Sequence, residues 1–220
     1  MHTGRYVMQP MLPTQPKSPS ACGRDLTRER ILDAAFAEIQ RQGFQAASVS
    51  AILSETGLTK GALYHHFPCK KELGLAVVDE RVAGVLGGHI LDLLVTPDTD
   101  PAPLNKLLDL LAAAQDSTAD AIRLGCPLNN LMQEMSALDE DFRHHLTAIV
   151  TRWQQRVETL LRQAQAQGQV RADVDCQAVA LFVVAAWEGA ASIAKNLQSL
   201  PAFTASMEQL TQFVRQLQTG

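Results

Sequence analysis

Three helix stops crowd one short stretch near the N-terminal end: Gly43, Gly57 and Pro68. The segments they bound carry apolar residues at helical spacing. Ile31, Leu32, Ala35, Phe36 and Ile39 fall on one face and predict a helix over Thr27–Gln42. Thr27 supplies a cap, and Gly43 supplies the left-handed stop. A second helix follows from Ser48 to Thr56, with Ser48 as cap and Val49, Ile52 and Leu53 inward. Thr59 caps a third, which runs to about Phe67 because Pro68 cannot continue it. A longer helix followed by two short ones joined through a glycine turn is the helix-turn-helix plan. In the third helix Leu63, His66 and Phe67 share one face, leaving Lys60, Gly61, Tyr64 and His65 on another.

The remainder also reads as helices. Cys69-Lys70-Lys71-Glu72 has the arrangement of a capping box, with Cys where Ser or Thr normally sits. The helix it opens continues to about Leu94, and Gly84, Gly87 and Gly88 mark a bend or soft point within it. After a Pro- and Asp-rich loop at 96–103, further helices are expected over Leu104–Ala114, Thr118–Leu124, Cys126–Met135 and Asp139–Gln167. An apolar helix then runs from Asp173 or Asp175 to Leu197, and a last one begins at Pro201. Hydrophobic residues make up 46% of the chain, enough for a sizeable core, and aromatics only 5%, a balance that favours helices over strands. The expected fold is all-α, with about nine helices: a disordered, proline-containing tail (1–23), a helix-turn-helix domain (24–72) and a helical ligand-binding and dimerisation domain (73–220).

Charge follows the same division. Residues 24–71 carry seven Lys/Arg and five Asp/Glu, whereas residues 82–220 carry nine against fifteen. A weakly basic head on an acidic body fits a chain that meets DNA through its head alone. Cys22, Cys69, Cys126 and Cys176 lie far apart in sequence and imply reduced thiols rather than a zinc site. The start of the chain lacks the basic and apolar pattern of a secretion signal, and Met8 and Met11 are alternative starts. Cys176–Ala194 is apolar enough to resemble a membrane span, but Glu188 inside it makes a buried core or interface helix the better expectation. No membrane association is expected, and the location is cytoplasmic.

The segment from Thr27 to Leu73 resembles the DNA-binding domain of the TetR family of transcriptional regulators. The resemblance rests on Arg30-Ile31-Leu32-Asp33-Ala34-Ala35, Gly43-Phe44, the run Gly57-Leu58-Thr59-Lys60-Gly61-Ala62-Leu63-Tyr64-His65-His66-Phe67, and Lys70 with Leu73. It implies that the third helix enters the major groove of double-stranded operator DNA, and that a lysine opening the fourth helix holds a phosphate. The DNA-contacting positions it carries over are Ser48, Thr59, Lys60, Gly61, Ala62, Tyr64, His65 and Lys70. It further implies a homodimer through the last two helices, reading a near-palindromic operator as a repressor and released by a small-molecule inducer.

Candidates for the inducer pocket are Leu107, Leu111, Cys126, Leu128, Asn129, Met132, His145, Trp153, Phe182 and Trp187, with Gln133 and Glu188 as further polar groups. Cys126 precedes a helix start, where positive potential favours a thiolate, so an electrophile- or redox-sensing regulator is one alternative. An activator of the same fold is another. His144 and His145, adjacent on a helix, point about 100° apart and do not suit one metal. Neither a cofactor, a metal nor a catalytic residue is expected. For the last two helices, Ala185, Ala186, Gly189 and Ala190 permit close approach, and Trp187 and Phe213 are the expected anchors of the contact.

Overall fold

The computed structural model describes residues 23–219 apart from Thr96 and Asp98. The expected tail, residues 1–23, lies outside the described residues except for Gly23. Helix α1 spans Gly23–Gln42 and so begins one turn before Thr27, with no proline between them to stop it. Helices α2 (Val49–Thr56) and α3 (Lys60–His66) follow within the expected limits.

Helix α4 covers residues 70–91 and is not uniform. It is α-helical at Lys70–Val77, π-helical at Val78–Val82, α-helical at Ala83–Leu86 and π-helical again at Gly87–Leu91. Of the glycines expected to mark a soft point, Gly87 and Gly88 open the second of these wide π-helical turns, whereas Gly84 lies in the α-helical stretch between the two and the first wide turn contains no glycine. π-helical turns interrupt α-helices mostly as isolated bulges, often at functional sites.

The remaining helices are α5 (Pro103–Ala114), α6 (Ala119–Leu124), α7 (Pro127–Met135), α8 (Glu140–Ala166), α9 (Cys176–Leu197) and α10 (Leu200–Arg215). Their starts follow sequence chemistry. Thr118, Asp139, Asp175 and Ser199 each accept backbone N–H bonds at a helix N-terminus. Among the described residues the β pairing is limited to one isolated antiparallel bridge, Val170 with Gln218.

The chain packs as two units. The first comprises the described residues up to Val85 together with Pro127–Thr147; the second comprises Leu86–Cys126 and residues 148–219. The first unit has a core of Ile31, Leu32, Ala35, Leu63, Phe67, Leu73, Val77, Phe142 and Leu146. The second is built on Leu104, Leu107, Leu111, Trp153, Val157, Leu160, Leu161, Phe203, Met207 and Val214. The functional division expected between residues 72 and 73 falls within α4, and the packing limits lie elsewhere.

Ion pairs join α1 to α4 in the first unit. Arg28 donates to both carboxylate oxygens of Glu80, and Arg81 lies 2.7 Å from Glu29 and 2.7 Å from Asp33. The Arg28 guanidinium holds the Glu80 carboxyl below its ordinary range. Closer in, Gly74 sits where no larger residue fits. A Cβ there would lie 2.3 Å from Phe44 and 2.7 Å from Phe142, whose rings pack with centroids 4.5 Å apart. Gly74→Ala should therefore overpack this aromatic pair and destabilise the fold by roughly 1–3 kcal/mol in a denaturant melt; an unchanged midpoint would mean that the pair yields freely.

Candidate nucleic-acid interface

The turn between α2 and α3 is set by three local choices. Gly57 takes the left-handed conformation (φ 65°), and its N–H donates to the Leu53 carbonyl at 2.9 Å. Thr59 then caps α3, its hydroxyl accepting from the Ala62 N–H at 3.2 Å. Ser48 caps α2 in the same way, accepting from Ala51 N–H at 3.4 Å. From α1, Arg30 Nη2 donates to the Thr56 carbonyl at 2.7 Å and covers the C-terminal end of α2.

Helix α3 divides sharply into two faces. Leu63 and Phe67 are buried, and the Arg28 guanidinium lies 5.3 Å from the centroid of the Phe67 ring. Lys60, Gly61, Tyr64 and His65 are exposed, with Ala62 and His66 between the two faces. The Lys60 ammonium sits 5.7 Å from the Tyr64 ring centroid, a cation–π distance that holds both on one outward surface. Small Gly61 between them lets a backbone or base edge come close. Ser48 and Thr59 use their oxygens as cap acceptors; the Thr59 hydroxyl still has a proton to donate, and the Ser48 hydroxyl also pairs with the Ser50 hydroxyl at 2.5 Å.

At the start of α4 the two lysines differ. Lys70 Nζ donates to the Gln45 carbonyl at 2.9 Å and lies 5.0 Å from the Phe44 ring centroid, leaving ammonium protons to spare. Lys71 Nζ is gripped by Asp139 at 2.8 Å and Asp141 at 2.7 Å, which raise its pKa. Cys69 occupies the N-cap position of α4 and makes no side-chain cap bond, as the missing hydroxyl leads one to expect. Sequence reasoning missed three acidic residues here: Asp139, Asp141 and Glu134, whose carboxylate accepts from the Phe44 and Gln45 N–H groups at 2.8 Å each. Partners some 70 to 90 residues apart leave no mark in local spacing.

The expected inducer residues separate. In the second unit Leu107 and Leu111 are buried with Trp153 and Trp187, whose rings meet edge to face at 5.5 Å. Trp187, expected also as an anchor between chains, belongs instead to this internal core, because its ring is consumed by Trp153. Cys126 is half-buried, and its thiol donates to Glu188 Oε1 at 3.3 Å. Phe182 lies on the outer face of α9, 50% exposed, packed edge to face on Phe213 at 4.9 Å. In the first unit Leu128 and Asn129 are buried and Met132 is half-buried. His145 there places Nδ1 2.7 Å from Asp79 Oδ1. Among the described residues no three His, Cys, Asp or Glu side chains converge as a metal site.

Comparison with known proteins agrees with the head. The profile described as bacterial regulatory proteins of the tetR family matches residues 31–77, and that described as the tetracyclin repressor-like C-terminal domain matches residues 103–210. The transcriptional regulator AcuR of Cereibacter sphaeroides is 33% identical over 190 residues, covering 84% of each chain. The HTH-type transcriptional repressor DhaR of a Mycobacterium species is 26% identical, covering 82% of this chain and 89% of its own. A crystal structure of a regulatory protein TetR from Rhodobacter sphaeroides superposes with a TM-score of 0.74 at 30% identity, covering 88% of this chain and all of that one.

Glu188 makes the second unit sensitive to pH. It is buried on α9, and desolvation pushes its carboxyl from the ordinary 4.5 up to about 7, against the opposing bond from Cys126. The folded chain then holds a proton that the unfolded chain releases. The cost is absent below pH 4.5, grows as pH rises to about 7, and is complete above it. Glu188→Gln should stabilise the protein at pH 8 by roughly 3 kcal/mol, with most of that gain gone by pH 5. Equal melting shifts at both pH values would contradict the raised pKa.

Proposed function

Because the chain belongs to the TetR family of DNA-binding transcriptional regulators, which are not enzymes, we propose that it is a ligand-responsive repressor acting as a homodimer on a near-palindromic operator in the cytoplasm. The outward face of α3 is the observation that carries this reading. Lys60, Gly61, Tyr64 and His65 stand exposed on a helix of seven residues whose other face is sealed by Leu63 and Phe67. A short helix with a small, basic and hydrogen-bonding outer face suits the major groove, where base edges carry a readable pattern. Ser48, Thr59 and Lys70 surround it with phosphate donors, and Ala62 lets the duplex approach.

A second copy of the chain is the proposed occupant of the free face of α9 and α10. Phe182, Ala186, Gly189, Ile193 and Phe213 line a shallow groove there, and Leu181 and Leu197 stand exposed beside it. Large apolar side chains clustered on two helices mark an association surface. Small Gly189 and Ala186 let a partner helix come close. Two heads related by a two-fold axis then read half-sites one helical turn, or a multiple of it, apart.

The inducer is proposed to bind within the second unit, among Leu107, Leu111, Cys126, Trp153 and Trp187, and to act on the head through α4. Release requires a coupling of about 1–3 kcal/mol. The α4 helix runs unbroken from residue 70 to residue 91, and its wide turns are where its length and direction can change at least cost.

Two experiments test these statements. A duplex selected by the wild-type protein from a randomised pool should show two related half-sites. Phe182→Asp should sediment as a monomer and bind that duplex on the order of a hundredfold more weakly, since paired heads gain by effective concentration; a dimeric Phe182→Asp with full affinity refutes the interface. Gly87→Ala adds a methyl that meets nothing within 4 Å and favours the α-helix by about 1 kcal/mol. In a promoter-reporter strain screened with a panel of small molecules, it should keep repression and lose much of the induction ratio. Undiminished induction would remove the wide turn from the release mechanism.

A further inference from the structure

The loop between α1 and α2 is held from a distant part of the chain. Phe44 and Gln45 follow the end of α1, and their two N–H groups converge on one carboxylate, that of Glu134 on α7. Oε2 takes the Phe44 N–H and Oε1 the Gln45 N–H, both at 2.8 Å, a two-pronged and charge-assisted grip. The carboxylate lies so close over Gly43 that a Cβ there would sit 2.8 Å from Oε2. The same two residues hold Lys70: the Gln45 carbonyl accepts from its Nζ at 2.9 Å, and the Phe44 ring lies beneath it at 5.0 Å. Phe44 is in turn backed by Phe142 of α8.

We infer that Glu134 is a positioning residue for operator binding: by fixing the Phe44–Gln45 backbone it aims Lys70 at the DNA phosphate, without touching DNA itself. This rests on the proposed phosphate role of Lys70. The segment Pro127–Thr147 thereby sorts two adjacent lysines. Asp139 and Asp141 on that segment neutralise Lys71, while Glu134 orients Lys70 and leaves its charge available.

The sign of the effect distinguishes positioning from plain charge. An acidic group in a DNA-binding head repels phosphate, so removing it should tighten binding by counterion logic alone. The positioning role requires the reverse. In Glu134→Gln the amide offers one acceptor oxygen, and its NH2 faces the other backbone N–H, so the grip is halved.

The test is a double-mutant cycle of Glu134→Gln and Lys70→Ala, read as affinity for the selected duplex across a salt series. Lys70→Ala should flatten the salt dependence by about one unit of slope. Glu134→Gln should weaken binding by about tenfold at low salt, flatten the slope similarly, and add little in the Lys70→Ala background. Tighter or unchanged binding by Glu134→Gln, or additive losses in the double variant, overturns the inference while leaving the function intact. If Lys70→Ala alone changes neither affinity nor slope, the phosphate role falls and the inference falls with it. Should Glu134→Gln lose its cooperative thermal transition, the same cycle is read on Glu134→Asp, which keeps the charge and shortens the reach; non-additivity with Lys70→Ala supports the inference and additivity overturns it.

Discussion

The outward face of α3, proposed to meet DNA, depends on the burial of the opposite face. A helix of seven residues cannot hold itself in water, because nucleation consumes most of what its few hydrogen bonds return. It persists because Leu63 and Phe67 are sealed in the core of the first unit, with Arg28 over the Phe67 ring. That burial fixes the rotation of α3, and rotation fixes which residues face outward. Lys60, Tyr64 and His65 are presented because Leu63 and Phe67 are not.

The head is more than three helices. Helix α4 joins α1 through Arg28, Glu80, Arg81, Glu29 and Asp33, and the segment Pro127–Thr147 joins the same unit through Phe142, Lys71 with its two aspartates, and Glu134. Exposed ion pairs of this kind contribute little stability singly. Their effect here is geometric, since each ties together segments of the first unit that are distant in sequence. The wide turns of α4 then matter, because a helix with weak points changes shape where its own hydrogen bonds are least regular.

Helix α9 shows how one apolar sequence serves two surfaces. By length and composition it is apolar enough to cross a membrane. One side instead supplies Ala180, Val183, Val184, Trp187 and Ala191 to the core of the second unit, with Glu188 buried among them. The other side carries Leu181, Phe182 and Ile193 outward, which is the side proposed to meet a second chain. Glu188 is kept in an apolar setting at a cost that depends on its protonation, and its neighbour Cys126 shares its hydrogen.

Helix placement was legible because it is written in local chemistry. Gly57, Pro68, Ser48, Thr59, Asp175 and Ser199 act on backbone groups within four residues, so their effect survives without the fold. The outward face of α3 was legible for the same reason, through helical period. Trp187 was misplaced because period tells which residues are apolar together, not whether the chain's own core or a partner takes them. Glu134, Asp139 and Asp141 were invisible, since a carboxylate on an amphipathic helix looks like any solvated charge until folding brings Phe44, Gln45 or Lys71 to it. The helices, most of their caps and the outward face of α3 follow from interactions a few residues long and so are written in local sequence. Which acidic groups hold the head and which apolar faces stay free depends on contacts that chain packing alone creates.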